Sequence, residues 1–236
     1  IAQKAYEMFE KVNDREKTEF ARDIYNNERR LVREKLIDLE SGIVRGNTQT
    51  GQALTLYYNI FEKSEEEKAV EYLVRLIHDN DDRFNCGILG MRTMFHVLSK
   101  HGYGDLAYDL IMKKGYPSYY HFIESGETSL PESFMPDGES CGSHNHHFLG
   151  DISRWFINSV AGLEMIDSKN AIISPCFIKK IGYASAWHQT KYGKIEVFWK
   201  RENRVIKLDI KTSGDIKYKI ELPPKFIYKN GTVKEV

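Results

Sequence analysis

The chain has 236 residues, 41% apolar and 29% charged, with 34 Lys and Arg against 34 Asp and Glu and a formal charge of zero. That composition is of an ordinary globular chain, and its charge balance offers no basic footprint for nucleic acid or an anionic membrane. No apolar run approaches the 18 or so residues of a spanning helix, so neither a nucleic-acid partner nor a membrane is expected.

The three cysteines, Cys86, Cys141 and Cys176, lie far apart without CxxC spacing, which argues against a disulfide framework or a zinc site. The first residue is Ile1, and Ile1 to Val12 already reads as helix with no signal-peptide pattern before it. The expectation is a fragment of something longer, whose compartment is left open.

Up to about Leu163 the pattern is helical. Asp14 is placed to cap a long helix whose apolar positions Phe20, Ile24, Leu31, Leu36 and Leu39 recur at roughly helical spacing. Helices over Thr50 to Phe61, Ser64 to Asp79, Leu89 to Lys100 and Asp105 to Lys113 follow, the second with Glu65, Glu66 and Glu67 at its start, where carboxylates suit the helix dipole. Gly87 and Gly90 bracket a loop that reads either as the top of an inner helix or as a turn needing positive φ. A last helix is expected from His146 to Val160, with Asn145 at its N-cap and Phe148, Ile152, Trp155, Phe156 and Val160 facing inward. Helix after helix with short connections means antiparallel hairpins. No fixed-period repeat suggests a solenoid.

Beyond Ile172 the period becomes two. Residues 195–199, 205–210 and 216–220 alternate as antiparallel strands, with Lys191-Tyr192-Gly193 and Ser213-Gly214-Asp215 as turns and Pro223-Pro224 as the stop. The expected fold is mainly α with a small all-β C-terminal domain: residues 1–165 helical, residues 166–236 an antiparallel β-sandwich.

The densest chemistry lies in Tyr116 to Phe134 and in Ser143 to Gly150. Aromatics, a Gly-Glu-Thr turn, an isolated carboxylate behind a proline and an Asn-His pair fit the lining of a sugar-sized pocket, where flat apolar faces and a few fixed polar groups hold a ligand. Glu132 follows Pro131, sits between Leu130 and Phe134, and has no neighbouring Lys or Arg in sequence. Asp137, Glu139 and Glu127 read as solvated loop charges. Tyr116, Tyr119, Tyr120 and Phe134 offer stacking faces. His121, His144, His146 and His147 do not carry the spacing or the HExxH pattern of a metal site, so no metal or cofactor is expected.

These segments resemble bacterial α-L-rhamnosidases. Tyr116-Pro117-Ser118-Tyr119 is similar to a Tyr-Pro-Ser-Trp pattern, Gly126-Glu127-Thr128-Ser129-Leu130-Pro131-Glu132-Ser133-Phe134 to Gly-Ala-Thr-Thr-Leu-Trp-Glu-x-Trp, and Ser143-His144-Asn145-His146 to Ser-x-Asn-His. Upstream, Thr48 to Tyr58 and Gly87-Ile88-Leu89-Gly90 resemble a Thr-Gly-x-Ala-Leu-Ala-Leu-Tyr helix start and a Gly-Phe-x-Gly loop. Downstream, Ser174-Pro175 and Tyr192 to Trp199 resemble the start of a C-terminal β-domain.

The resemblance implies part of an (α/α)6 toroid, a six-hairpin glycosidase domain, followed by a β-sandwich. It implies an inverting, metal-independent glycoside hydrolase acting on a rhamnoside or related deoxy sugar, in which Glu132 is the base and His146 and Asn145, with Tyr119, Tyr120 and Phe134, bind the sugar. The general acid would lie in an N-terminal part outside this chain, leaving the fragment alone inactive. An exposed cut face would let a second copy dock, and the compartment would be bacterial cytoplasm or periplasm. Tyr119, Pro131 and Phe134 stand where the family has Trp, which leaves the sugar open. The alternative is a non-catalytic helical carbohydrate-binding or scaffold module with a β-sandwich attached.

Overall fold

The computed structural model describes residues 1–236 apart from Asp137, Arg204, Pro224, Lys225 and Val236, so the expectations for Asp137 and for Pro224 as a strand stop fall outside the described residues. The chain opens with α1 (Ala2–Lys11) and α2 (Arg15–Leu36), and the Asp14 carboxylate accepts from the Lys17 N–H at 3.2 Å as the expected cap. A two-stranded antiparallel ribbon, β1 (Ile37–Asp38) with β2 (Ile43–Val44), turns the chain into α3 (Gln49–Tyr57). Then come α4 (Glu66–His78), α5 (Ile88–Lys100), α6 (Gly104–Met112) and α7 (Tyr119–Glu124). Helix α3 packs on both α4 and α5, and α5 on α6. Their apolar stripes meet in one core that includes Ala53, Leu56, Leu73, Met94 and Leu98.

Two helical expectations need correction. Phe20, Ile24, Leu36 and Leu39 are exposed rather than inward, and among the described residues the apolar core takes nothing from α1 or α2. Helix α2 packs against α1, with Tyr6 and Tyr25 in ring contact, and polar groups fasten it to the rest of the domain. Arg29 Nε donates to the Asn59 carbonyl at 3.1 Å, and Arg33 donates to the Ile60 carbonyl at 2.9 Å and pairs with both oxygens of Glu65 at 2.7 and 2.9 Å.

The last helix does not start at His146 and Asn145 does not cap it. A 3-10 turn begins at Leu149, followed by α8 (Ile152–Trp155) and a π-helical stretch, Phe156–Ala161. The His146 N–H is taken by the Leu130 carbonyl at 2.8 Å, so that segment's backbone is committed to the loop after α7 rather than to a helix. Ile152, Trp155 and Val160 are buried as expected, whereas Phe156 is exposed.

The β region starts with β3 (Leu163–Met165), on the helical side of the expected boundary yet paired with β4 (Asn170–Ile173). The strands β5 (Tyr183–Thr190), β6 (Gly193–Glu202), β7 (Val205–Thr212), β8 (Lys217–Ile220), β9 (Phe226–Lys229) and β10 (Thr232–Glu235) complete two sheets, ordered β5-β6-β7-β10-β9 and β3-β4-β8. The larger sheet is antiparallel throughout, but β8 pairs with β4 in parallel, against expectation. After β7 the chain crosses the tip of the β5–β6 hairpin, where the Ser213 and Asp215 N–H groups donate to the carbonyls of Lys194 and Tyr192 at 2.9 Å each. That crossing carries buried Ile216 over to the other sheet. Alternation had set the face of this strand; the crossing sets its partner.

Between the sheets lie Ile173, Phe177, Ile195, Val197, Trp199, Leu208 and Val233. The β region leans on the helices. The Trp199 indole donates to the Val160 carbonyl at 2.8 Å, the Lys179 N–H donates to Asp105 at 2.7 Å, and Ile178 belongs to the helical core. Gly162, at φ 83°, turns the chain between the two regions, and a Cβ there would stand 2.2 Å from the Pro175 nitrogen. Only glycine tolerates both that conformation and that approach. Among the described residues no helix is long and apolar enough to cross a membrane.

Candidate active site

Phe84 and Phe134 line the candidate site, and Phe122 backs them. Phe134 stacks on Phe122 with centroids 5.0 Å apart and planes 7° apart, and on Phe84 at 5.7 Å and 20°. Tyr119 meets its edge at 5.3 Å and 87°. Aromatic contacts of this kind add stabilisation beyond the buried area. They clamp the loop after α7 to the helical core, with Leu130 packed against the same core two residues before Glu132. The opposite side of the loop is fixed by a backbone ladder, Glu132 N–H to Ser143 carbonyl at 3.0 Å and His146 N–H to Leu130 carbonyl at 2.8 Å.

Glu132 is thereby held between two anchored residues and lines an open cleft of about 550 Å³. Its Oε1 accepts from the Gly142 N–H at 3.2 Å. Among the described residues no Lys, Arg or His lies at ion-pair distance, so the carboxylate keeps acceptor capacity free for a ligand or a water. The facing wall comes from the starts of two helices: Thr48 and Thr50 at α3, and Asn85, Gly87 and Ile88 leading into α5. Tyr116 and Pro117, joined by a cis peptide, close a third side.

The helix starts are set by particular side chains. The Thr48 hydroxyl accepts from the Gly51 N–H at 3.1 Å, an N-cap. Gln49 is buried, donating to the carbonyls of Leu76 and Arg83 at 3.2 and 3.0 Å and accepting from the Asn85 N–H at 2.8 Å, so it fixes the loop that forms the wall. Gly87 and Gly90 do not have the positive φ expected of them: Gly87 has φ −83° and Gly90 lies inside α5. Gly90 is needed for a close approach, since a Cβ would stand 2.6 Å from both the Cys86 Cβ and the Thr50 Oγ1. Cys86 lines the cleft, but burial pushes its thiol up to about 12, which leaves it un-ionised and a poor nucleophile.

The structure brings only some of the expected residues together. Glu132 and Phe134 line the cleft. Phe134, sandwiched between Phe84 and Phe122, has no flat face left for a sugar and serves as the clamp. Tyr119 is buried, its hydroxyl donating to the Leu149 carbonyl at 2.9 Å and its acidity suppressed by burial, so it is core and not a stacking face. Tyr120 is half-buried and outside the cleft lining.

His146 is tied to the Glu132 segment through its backbone, while its ring stacks on His147 at 5.0 Å and its Nδ1 accepts from the Phe148 N–H at 3.3 Å. Neither it nor exposed Asn145 lines the cleft. Glu127 pairs with His144 at 3.3 Å, and Glu139 is exposed. The sequence reading missed Asn85 and Gln49. A glutamine in the first turn of an apolar helix is the signal that could have marked Gln49 as a buried positioning residue.

The solved structures that share this architecture give the class. An α-L-rhamnosidase from Streptomyces avermitilis, complexed with L-rhamnose, superposes at TM-score 0.84 with 22% identity, covering 99% of this chain and 25% of that one. One from Dictyoglumus thermophilum superposes at 0.82 with 20% identity, covering 98% and 29%. At such identities the likeness establishes the fold alone, a helical domain followed by a β-domain.

Sequence comparison supplies the particular family. Residues 1–160 match the bacterial alpha-L-rhamnosidase 6 hairpin glycosidase domain and residues 168–234 the bacterial alpha-L-rhamnosidase C-terminal domain. A curated alpha-L-rhamnosidase of Alteromonas sp. (strain LOR) is 34% identical over 179 residues, 71% of this chain and 19% of that protein. The chain belongs to the bacterial alpha-L-rhamnosidase family and spans about a fifth of the length of that curated relative.

Proposed function

We propose that this chain supplies the catalytic base and one wall of the sugar site in an inverting glycoside hydrolase that releases terminal L-rhamnose from glycosides or polysaccharides. The observation that carries the reading is Glu132, anchored on both sides, facing the cleft, and without a cationic partner among the described residues. In an inverting hydrolase a carboxylate in this position takes a proton from water as that water attacks the sugar, while a second carboxyl about 6.5–9.5 Å away protonates the leaving oxygen. Glu132 is the one carboxylate among the described lining residues. The general acid is therefore proposed to come from polypeptide outside residues 1–236.

Tyr116, half-exposed in the cleft, is the aromatic whose ring is available to a sugar. Asn145 and His146, on the segment laddered to that of Glu132, are proposed as rim contacts to sugar hydroxyls. Glu132→Gln in the longer polypeptide that completes the domain tests the assignment. An amide keeps the shape but cannot accept the water's proton, so kcat on an aryl α-L-rhamnoside should fall about a hundredfold or more while KM moves little. A near-normal kcat would assign the base to another carboxylate.

A further inference from the structure

The outer face of the larger sheet has no role in the cleft chemistry, yet it carries aromatic side chains of a kind that sheet exteriors seldom expose together. On edge strand β5 the outward positions are Tyr183, Ser185, Trp187 and Gln189; register sets Lys200, Phe198, Glu196 and Lys194 opposite them on β6. Tyr183 is 67% exposed, Trp187 65% and Phe198 41%. The Tyr183 and Phe198 rings lie 6.5 Å apart with planes inclined by 33°, close to a common platform. Trp187 lies four residues along the strand from Tyr183, about 13 Å at roughly 3.3 Å per residue, with Phe198 midway between them across the ladder. Lys194 lies over the Trp187 ring, its ammonium 5.2 Å from the centroid, and the indole nevertheless keeps most of its surface open.

Around the rings each lysine has a carboxylate within reach on the face itself, Lys200 and Lys207 sharing Glu202. Lys194 pairs with Glu196, Lys207 with Glu202 at 2.6 Å, Lys200 with Glu202 at 3.6 Å, and Lys211 with Asp209 at 3.5 Å. A strip of bare rings set among paired rather than free charges complements an uncharged polyhydroxylated chain. The rings offer flat apolar surface to the C–H faces of sugars, and the surrounding amide, hydroxyl and ionic groups offer hydrogen bonds to their hydroxyls. It does not complement a phosphate or sulfate polymer, which would call for unpaired cations.

We infer that the outer face of β5 and β6 is a second carbohydrate-binding site, distinct from the cleft, that takes a run of a neutral pyranose polysaccharide across Tyr183, Phe198 and Trp187. The inference stands apart from the role of Glu132, since no residue of this face lines the cleft.

The chain contains three tryptophans, and Trp155 and Trp199 are fully buried, so acrylamide quenching of the exposed fluorescence reports on Trp187. A neutral rhamnan or hydroxyethyl cellulose, titrated into the chain, should shield Trp187 from acrylamide, with the same midpoint in Glu132→Gln. Tyr183→Ala and Phe198→Ala retain the reporter, and each should raise the glycan concentration for half-shielding about tenfold. Unshifted emission from buried Trp155 and Trp199 verifies that these variants are folded. The inference is overturned if neither neutral glycan shields Trp187, if the two alanine variants titrate like the wild type, if Glu132→Gln abolishes shielding, or if only dextran sulfate shields. It is also overturned if shielding rises with protein concentration in the absence of glycan, because the face would then be covered by a second copy.

Discussion

Helices α2 and α5 each carry apolar positions at helical spacing, yet they are held by opposite means. Helix α5 buries Met91, Met94, Phe95, Val97 and Leu98 in the core and presents its N-terminus to the cleft. Helix α2, 22 residues long, buries only Thr18 and Ala21 and is fastened through Arg29 and Arg33 to carbonyls and carboxylates of the segment before α4. An amphipathic pattern states that a helix has an apolar face. It does not state that anything covers that face.

Removing apolar bulk from each should break or sharpen that contrast. Leu98→Ala deletes a fully buried side chain and should cost about 2–5 kcal/mol. Phe20→Ala removes a larger side chain that is 68% exposed and should stay within about 0.5 kcal/mol. Urea midpoints of the two variants decide the matter: a loss above about 2 kcal/mol for Phe20→Ala would mean that the α2 face is packed in solution.

The same contrast marks what was legible in the sequence. The Asp14 cap, the run of antiparallel helices and the β5–β6 hairpin all follow from local signals, because a cap, a period and a turn are decided by neighbours in the chain. The Phe84–Phe122–Phe134 clamp was not legible, since its rings come from three separate segments and each alone reads equally well as a sugar platform. The parallel pairing of β8 and the late start of the last helix escaped for a related reason. In both, backbone groups found distant partners, β4 for one and Leu130 for the other, that no local pattern specifies. Glu132 was legible as a candidate through its isolation from cations, but what holds it in place was not.

Gly90→Ala is the next largest expected effect. Alanine is the better helix former, so the substitution should stabilise if only the helix mattered. A Cβ 2.6 Å from both the Cys86 Cβ and the Thr50 Oγ1 forces the wall of the cleft apart, and such overpacking costs about 1–3 kcal/mol. A thermal or urea midpoint that does not fall would show that α3 and α5 are less closely apposed than these distances require.

The smallest effect concerns the polar fastening of α2. Arg33 grips Glu65 through two hydrogen bonds, and the guanidinium holds the Glu65 carboxyl below its ordinary range. A carboxylate whose folded pKa is depressed contributes stability that is fully present above its unfolded value, near 4.5, and is lost as pH falls through the folded value. Arg33, raised by the same pairing, stays charged throughout that window. Most of both side chains is shielded from water, but the pair lies near the surface, so its worth is about 1 kcal/mol. Relative to the intrinsic amide rate at each pH, acidification from pH 5 to 3 should therefore accelerate exchange in α2 before it does so in α5, and Arg33→Ala should give α2 the lower protection already at pH 7. Equal acceleration in both helices would mean that α2 unfolds only together with the core, and that its exposed apolar stripe is better packed than its surface suggests.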